Sequence, residues 1–335
     1  MKILFNCHTP FSFAHGGAQI QIEQTMAALK KSGVDVEPLF WYDSQQNGDI
    51  IHHFGRIPPA LIKLAHARNV RVVATAFEGG AGQRSRLNRF LLGSFRRTVR
   101  AAAHLIPPWV QDHLTWEAYQ QSDAVIAMTP YEAELIRELF LTQEGKIHFV
   151  PNGVESVFLE ASDEVRGKWI VCTGSIIPVK QVHKLAEMAI ISKSPVWFIG
   201  KPFDPDDPYA VKFADLCKTS EYLRYDGPIS DRMVMAQAYR QARGFVLLSK
   251  WESLSLAALE ASACGCPLLL SDLPWATKYF KNNATYCRAD VSPEVAAQSL
   301  RKFYDNIHLA PLPQRPLSWM GVAEKLIAVY GSLLK

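Results

Sequence analysis

Short apolar runs alternate with amphipathic stretches along the first half of the chain. The runs have the character of buried strands and lie at Lys2–Asn6, Val34–Phe40, Ile50–Phe54, Val70–Ala76, Ala124–Met128 and Lys146–Val150. After the first run, Ile22, Met26 and Leu29 recur at the spacing of one helix face, within a helix predicted at Gly17–Ser32, and Gly33 supplies a stop. Apolar strands separated by helices predict a parallel sheet covered by helices.

The alternation stops at Pro151-Asn152-Gly153 and then starts again. The second half predicts strands at Trp169–Thr173, Pro195–Gly200, Leu223–Tyr225, Gly244–Leu248 and Cys266–Leu270, and helices at Lys180–Ile191, Tyr209–Thr219, Asp231–Gln241 and Leu254–Ala263. A proline-containing linker precedes a last amphipathic helix, Ser318–Leu334. We therefore expect an α/β protein of two Rossmann-like domains that face each other across a cleft, with ligands at the carboxyl ends of the strands.

Composition narrows the class of protein without defining it. The chain has 335 residues, of which 48% are hydrophobic, so it can build two large cores, and its net charge of +4 does not call for nucleic acid as a partner. The six cysteines are scattered and complete no metal-binding pattern, which indicates reduced thiols. No apolar run reaches the length of a membrane span, and Met1–Phe5 is too short for a secretory signal. We expect a cytoplasmic protein.

The segment Ser249–Pro267 carries the clearest chemical signal. A buried strand ends at Leu248, a loop carries Glu252, and a helix is predicted to open near Leu254, where the first amides would form an anion site at Leu254, Ser255 and Leu256. Glu260 lies about two turns into that helix, where its carboxylate could accept two hydrogen bonds from a ribose diol. The alternative is a solvated Glu252 and a Glu260 that is buried by chance.

Two glutamates separated by seven residues, followed by Ala-x-Ala-x-Gly-x-Pro, resemble the signature of the retaining family 4 glycosyltransferases of the GT-B fold. Four more segments resemble motifs of that family. They are the strand Val125–Thr129, the interdomain segment Lys146–Val154, the donor loop Cys172–Lys180 and the turn Leu223–Ser230 near the nucleotide base. Ser318-Trp319 and the helix after it look like the closing helix of the family.

This resemblance implies a division of labour between domains. Residues 1–155 would form the acceptor-side domain, 156–312 the nucleotide-sugar-binding domain, and 313–335 a helix that crosses back onto the N-terminal domain. The implied function is a retaining glycosyltransferase that moves a hexosyl-type sugar from a nucleotide-sugar donor to a glycan or lipid-linked acceptor. Envelope or extracellular polysaccharide synthesis is the expected setting, at the inner face of the plasma membrane. No cofactor and no metal are expected.

By the same resemblance, Glu260 would hold the donor ribose, Glu252 would contact the donor sugar, and Lys180 would neutralise the diphosphate leaving group. A cation beside a departing diphosphate stabilises charge that grows in the transition state. The further donor-binding candidates are Gly174, Ser175, Ile229 and Ser253. The family usually adds an Arg six residues before the Lys, where this chain has Gly174. Lys201 and Arg232 are candidates to supply that charge.

The N-terminal half offers a glycine loop and several titratable side chains. Gly16 and Gly17, within Phe13–Gln19, allow close backbone approach at a helix start, and the family places such a loop by the donor phosphate. Glu78 stands where the family often has a His that touches the transferred sugar. His52 and His53 end the third strand and could reach the cleft, and a structural role is the alternative.

A basic run follows Glu78, with no acidic residue inside it. If residues 86–100 are helical, Arg86, Arg89, Arg96, Arg97 and Arg100 share one sector. Such a helix could attract an anionic membrane surface or bind an anionic acceptor. The alternative is an ordinary solvated face. Leu87, Leu91, Leu92, Phe95 and Val99 fall in another sector, which we expect to pack into the core.

Two other functions are compatible with the same architecture. A nucleotide-sugar epimerase would need an acid and a base next to the anomeric carbon and no acceptor site. A catalytically silent subunit that binds an acceptor or a partner would explain why the donor loop lacks its Arg. The Arg run alone does not make a nucleic-acid binder, because the rest of the chain lacks interleaved aromatic and basic residues.

Overall fold

The computed structural model describes residues 1–8, 16–40, 42–111 and 113–335. The chain divides into two compact units. The N-terminal unit comprises 1–152 together with 319–335, and the C-terminal unit comprises 153–318. The predicted loop residues Phe13, Ala14 and His15 lie outside the described part of the chain.

The N-terminal unit is a parallel sheet with helices between its strands. Its elements are β1 (Lys2–Cys7), α1 (Gly17–Lys31), β2 (Asp35–Pro38), β3 (Ile50–Phe54), α2 (Pro59–Ala67), β4 (Arg71–Thr75), α3 (Arg86–Ala101), α4 (Pro108–Gln111), α5 (Ala118–Gln121), β5 (Ala124–Ala127), α6 (Pro130–Phe140) and β6 (Ile147–Phe149). The strand order is β2-β1-β3-β4-β5-β6, and every pair is parallel. The core strands are apolar because both faces of the sheet are covered.

Helix α6 shows how local sequence sets an element. Thr129 caps it by accepting a hydrogen bond from the amide of Glu132 at 3.0 Å, and Pro130 occupies the first turn, where no amide donor is needed. The helix ends at Leu141, which takes a left-handed conformation. Its inner side buries Leu135, Ile136 and Leu139.

Helix α3 departs from the expectation stated above. Leu87, Leu91 and Phe95 are 66%, 56% and 64% exposed, so the prediction that they pack into the core is wrong. Of the apolar sector only Leu92 and Val99 pack against the cluster of buried residues. Arg89 and Arg96 on this helix face inward. The aliphatic parts of their side chains occupy the space that the leucines were expected to fill.

The C-terminal unit repeats the architecture. It contains β7 (Gly153–Val154), α7 (Ser156–Leu159), β8 (Ile170–Thr173), α8 (Val182–Ser192), β9 (Val196–Ile199), α9 (Pro208–Cys217), β10 (Leu223–Tyr225), α10 (Arg232–Gln241), β11 (Gly244–Leu247), α11 (Leu256–Ala263), β12 (Leu268–Ser271), α12 (Pro274–Phe280), β13 (Thr285–Cys287), α13 (Pro293–Asp305) and β14 (Leu317–Ser318). The main sheet is parallel in the order β10-β9-β8-β11-β12-β13, and β14 pairs with β7.

The last helix, α14 (Trp319–Leu333), belongs to the N-terminal unit and packs against α1. Tyr330 on this helix is fully buried and hydrogen-bonds to His52 Nδ1 on β3, with 2.5 Å between the two atoms. The last helix of the chain is therefore part of the same unit as the first strand and helix.

Candidate nucleotide-sugar site

The strand order of the C-terminal unit indicates where on its sheet a ligand would bind. The chain runs outward from β8 through β9 to β10, then returns to the other side of β8 with β11. Neighbouring strands whose connections leave in opposite directions open a crevice at their carboxyl ends. The loops that leave this point are the predicted donor loop after β8 and the loop that carries Glu252 after β11.

The donor loop is built on two glycines that touch. Gly174 has a φ of +145°, and Gly200, at the end of β9, has a φ of +156°. A Cβ on Gly200 would lie 1.9 Å from the carbonyl oxygen of Gly174, so only glycine fits there. Tyr225 donates a hydrogen bond from its hydroxyl to the Gly200 carbonyl at 3.2 Å. Ser175 follows Gly174 and is half-buried.

The loop after β11 is tied to the donor loop and its flank by one backbone and one side-chain hydrogen bond. The amide of Lys250 donates to the Val179 carbonyl at 2.9 Å, and Gln181 Nε2 donates to the Leu248 carbonyl at 2.5 Å. These bonds bring Lys180 beside Glu252, and the two side chains form an ion pair. They are 18% and 14% exposed, so water screens the pair only partly. Two residues assigned separate catalytic roles from sequence are thus direct partners.

Helix α11 begins at Leu256, two residues later than predicted. Ser255 is its cap, with an extended backbone and a side-chain oxygen that accepts from the amide of Ala258 at 3.3 Å. Leu254 and Ser255 are buried ahead of the helix, so the predicted anion site loses these two as helical amides. A helix that opened at Leu254 would be capped by Ser253, but it is the side chain of Ser255 that accepts a first-turn amide, so the helix begins after Ser255.

Glu260 lies at the centre of a buried polar network. It is 7% exposed and accepts hydrogen bonds from the Arg232 guanidinium and from the Tyr239 hydroxyl, the latter at 3.2 Å. Arg232 Nε also donates to Glu155 at 2.7 Å, and the Tyr239 hydroxyl lies 2.7 Å from Thr173 Oγ1. Burial raises the pKa of Glu260, and the charge of Arg232 opposes that rise.

Arg232 is the residue whose position the sequence left open. It is the first residue of α10, after the cap Asp231, and its guanidinium also lies over the Phe158 ring, 4.6 Å from the centroid. The other candidate cation, Lys201, is exposed. Ile229 is half-buried in the turn before α10, and Ser253 is half-buried in the loop before α11.

In the N-terminal unit, Glu78 is held in place by a second buried network. It is 3% exposed and receives Arg56 through both oxygens, with Nε at 2.6 Å from Oε1 and a terminal nitrogen at 2.5 Å from Oε2. Tyr119 donates its hydroxyl proton to the same carboxylate at 2.8 Å, and Glu132 accepts from the Glu78 amide at 2.8 Å. These hydrogen bonds fix the orientation of the Glu78 carboxylate and engage both of its oxygens.

The remaining predicted N-terminal residues lie at the carboxyl end of the sheet or at the start of α1. Gly16, with a φ of +144°, precedes α1, and Gly17 is its first residue. His52 is fully buried between Tyr330 and Thr75, and the Thr75 hydroxyl lies 2.7 Å from its Nε2. His53 is buried, and its ring nitrogens have no hydrogen-bond partner among the described residues.

The five predicted membrane or acceptor arginines separate into two groups. Arg86, Arg97 and Arg100 are exposed. Arg89 and Arg96 face the unit: Arg96 donates to the Leu139 carbonyl at 2.6 Å, and burial lowers its pKa to about 10. The prediction that all five share one accessible sector is therefore wrong, because two of them fill the inner side of α3.

No helix in the described part of the chain combines the length and the apolar character that a transmembrane span needs. Within the same residues, no group of three or more His, Cys, Asp or Glu side chains is arranged to hold a metal ion.

Comparison with known families matches both halves of the chain. A model described as glycosyl transferases group 1 matches residues 165–313, which contain the Glu252 and Glu260 segment. A model described as Glycosyltransferase Family 4 matches residues 39–157, in the N-terminal half. The two matches follow one another in the chain and concern enzymes of one type.

A curated relative, the D-inositol 3-phosphate glycosyltransferase of Jonesia denitrificans, is 26% identical over 181 residues. The match covers 47% of this chain and 42% of the relative, so the chain spans less than half of that protein's length.

Among solved structures, a sucrose-phosphate synthase from Thermosynechococcus elongatus superposes with a TM-score of 0.73 at 16% identity, covering 100% of this chain and 99% of that one. Anabaena Alr3699/HepE, solved in complex with UDP and glucose, gives a TM-score of 0.68 at 13% identity, covering 99% and 100%.

Two Rossmann-like units, matched over their full length by a solved sucrose-phosphate synthase, define the GT-B fold. Both family models describe glycosyltransferases, the group 1 model in the C-terminal half and the Family 4 model in the N-terminal half, and this is the resemblance expected from the sequence. The fold class and the family expected from the sequence are confirmed.

Proposed function

We propose that this protein transfers a sugar from a nucleotide-sugar donor to a glycan or lipid-linked acceptor, with retention of the anomeric configuration. The observation that carries the proposal is the convergence at one sheet edge of the Gly174 loop, the Lys180–Glu252 pair and the Glu260 carboxylate held by Arg232. The family supplies the class of reaction, and these contacts supply the residues.

The nucleoside would be held at Glu260. A carboxylate that already receives Arg232 and Tyr239 is fixed in orientation, and its lone pairs can accept hydroxyl hydrogens from a ribose diol. Burial raises the pKa of Glu260, and the positive charge of Arg232 opposes that rise and so favours the carboxylate form. In this proposal Arg232 is a positioning residue for the ribose acid.

The diphosphate would lie against the Gly174 loop, where the absence of side chains lets backbone amides approach it. Lys180 would neutralise the charge that develops as the sugar leaves. Glu252 would orient the Lys180 ammonium through their ion pair and contact hydroxyls of the donor sugar. Arg232 provides a second cation on the same unit, in a chain that lacks the usual arginine before Lys180.

Retention would follow from attack on the face that the leaving phosphate vacates, so no nucleophile on the protein is required. Glu78 suits this scheme as a fixed charge. Its oxygens are taken by Arg56 and Tyr119, and we assign it the positioning of Arg56 rather than proton exchange. The reaction would need no metal. Envelope or extracellular polysaccharide assembly would bring the enzyme to the inner face of the plasma membrane.

Binding of nucleoside diphosphates tests the donor assignment. The thermal midpoint of the protein is measured with UDP, GDP and ADP, followed by calorimetric titration of the best ligand. Glu260→Ala should weaken binding by about 1–3 kcal/mol, the scale of hydrogen bonds to a charged group, whereas the exposed Glu221→Ala should leave affinity unchanged. Unchanged affinity in Glu260→Ala would reject the ribose role, and no binding of any nucleotide would favour a silent subunit.

Incubation with the nucleotide sugar alone separates transfer from epimerisation. NMR of the donor should show no epimer in the absence of an acceptor. With an acceptor, an α-linked product should appear from an α-configured donor. Accumulation of an epimer without acceptor would replace the transferase proposal.

A further inference from the structure

Helix α3 presents its large apolar side chains to solvent. Leu87, Phe90, Leu91 and Phe95 are 66%, 66%, 56% and 64% exposed, and the segment that follows adds Leu105 at 74% and Trp109 at 70%. We call these six residues the outer apolar face. Single exposed leucines are common on protein surfaces, but six large apolar side chains within 23 consecutive residues, 87–109, are not.

The orientation of the helix is fixed from its inner side. Arg89 lies over the Tyr131 ring at 5.9 Å from the centroid, and Arg96 lies over Phe140 at 4.8 Å while it donates to the Leu139 carbonyl. Gly93 is buried, and a Cβ there would lie 3.1 Å from the Glu138 carbonyl oxygen. A rotation that buried the leucines would break these contacts, so the outer apolar face is a built feature of the fold.

The charged residues of α3 itself have one sign. From Gly79 to Gln111 the sequence contains six arginines and no aspartate or glutamate. Arg86, Arg97 and Arg100 are exposed, and at about 100° per residue Arg86 and Arg97 border the outer apolar face on the side of Phe90. The nearest acid across the helix pair, Glu138, interacts with the inward Arg89 at 3.9 Å.

An apolar stripe bordered by arginines matches an anionic bilayer, in which headgroups meet the cations and acyl chains meet the apolar side chains. A second copy of this chain fits less well, because a symmetric contact would place arginines against arginines. We propose that the outer apolar face inserts into the interface of an anionic membrane, with Arg86, Arg97 and Arg100 on the headgroups. The proposal is independent of the donor site, and it rests on the proposed function only for the setting at the inner face of the plasma membrane, to which it adds the surface that makes the contact.

Vesicle flotation of the full chain tests the insertion. The parent should bind vesicles of phosphatidylcholine mixed with phosphatidylglycerol, and bind pure phosphatidylcholine roughly tenfold more weakly. The combined variant Leu87→Ser, Phe90→Ser and Phe95→Ser should bind the mixed vesicles roughly tenfold more weakly than the parent. A matched control, Phe203→Ser, removes a phenylalanine that is 62% exposed in the other unit and should bind like the parent. Circular dichroism and the urea midpoint check that each variant folds.

A second variant isolates the charges. Arg86→Gln, Arg97→Gln and Arg100→Gln should weaken binding to mixed vesicles roughly tenfold at low salt, with a smaller difference at high salt. Equal flotation of the serine variant and the parent would overturn the proposal. So would equal binding of the parent to both kinds of vesicle. If the parent does not bind vesicles but forms a dimer, and the serine substitutions abolish that dimer, the outer apolar face contacts a second copy of the chain and the membrane proposal is overturned.

Discussion

Arg232 holds Glu260 from the start of helix α10, so the acid expected to bind ribose is already paired with a cation in the protein itself. The same guanidinium reaches Glu155, which leaves one positive charge between two carboxylates. A buried carboxylate without this partner would be costly, and its pKa would rise further. The protein's own side chains therefore fix the position of the Glu260 carboxylate.

Replacement of Arg232 by Ala should weaken nucleotide binding by about 1–3 kcal/mol and make it dependent on pH. Burial already raises the pKa of Glu260, and loss of Arg232 removes the charge that opposes the rise. The pKa of Glu260 should then rise further, and nucleotide affinity should increase with pH as the carboxylate forms. Calorimetric titration between about pH 6 and 8 measures this. Arg232→Lys, which keeps the charge, should restore most of the pH independence. A loss of affinity that is the same at every pH would contradict the positioning role.

Replacement of Lys180 by Ala should lower kcat by roughly 10²–10³-fold while nucleotide affinity changes less, because the cation acts on charge that grows in the transition state. Glu252→Gln should lower kcat by a smaller factor, since the lysine remains but loses its orienting partner. Steady-state rates with a saturating acceptor give both numbers. Lys250→Ala, at an exposed neighbouring position, serves as the control. If the kcat of Lys180→Ala equalled that of the parent, Lys180 would not stabilise the diphosphate leaving group.

Replacement of Gly200 by Ala should disrupt the donor loop. The new Cβ would meet the Gly174 carbonyl at 1.9 Å, and the backbone, with a φ of +156°, would be strained as well. We expect a loss of stability of about 1–3 kcal/mol and loss of nucleotide binding. Gly145→Ala is the matched control, because nothing lies within 4 Å of its added Cβ. Urea unfolding and thermal shift with nucleotide give the result, and a variant as stable and as responsive as the parent would refute the close approach.

The buried pair His52 and His53 should make the N-terminal unit sensitive to acid. Burial lowers the pKa of each to about 3 in the folded protein, against 6.5 without burial. The unfolded chain therefore binds protons that the folded chain does not. The free energy of unfolding should fall as pH drops from 6.5 towards 3, by about 1.4 kcal/mol per pH unit for each histidine.

His53→Phe tests this linkage at a single ring. Neither ring nitrogen of His53 has a hydrogen-bond partner among the described residues, so the change should cost little at neutral pH. Below pH 6.5 the free energy of unfolding of the variant should fall less steeply with decreasing pH than that of the parent. The difference in slope should correspond to one bound proton. Urea midpoints at a series of pH values give the slope. An unchanged slope would mean that His53 is protonated in the folded state.

Several features were predictable because they are local. The strands and helices predicted from the pattern lie within two residues of those in the structure, since the period of buried positions is a property of the chain itself. The glutamates of α11 and its loop and the lysine of the donor loop were found from motif spacing. The start of α11 was missed by two residues, because the cap depends on which serine side chain reaches an amide.

The partners of the charged residues could not be read from the sequence. Lys180 meets Glu252, and Arg232 meets Glu260, only because the order of parallel strands brings separate loops to one edge. The same holds for α3. Periodicity separates its arginine and leucine sectors, but it does not say which sector faces the sheet.

The sequence by itself determined the two β/α modules and the family resemblance, and it proposed the residues of the site, since these rest on spacing along the chain. The tertiary structure decided that Glu260 is paired with Arg232 and that Arg96 points inward while Phe95 points outward. The physical reason is that burial and pairing depend on what other segments occupy the same space. The sequence of an amphipathic helix defines a polar face and an apolar face, but the neighbouring elements determine which of the two is buried.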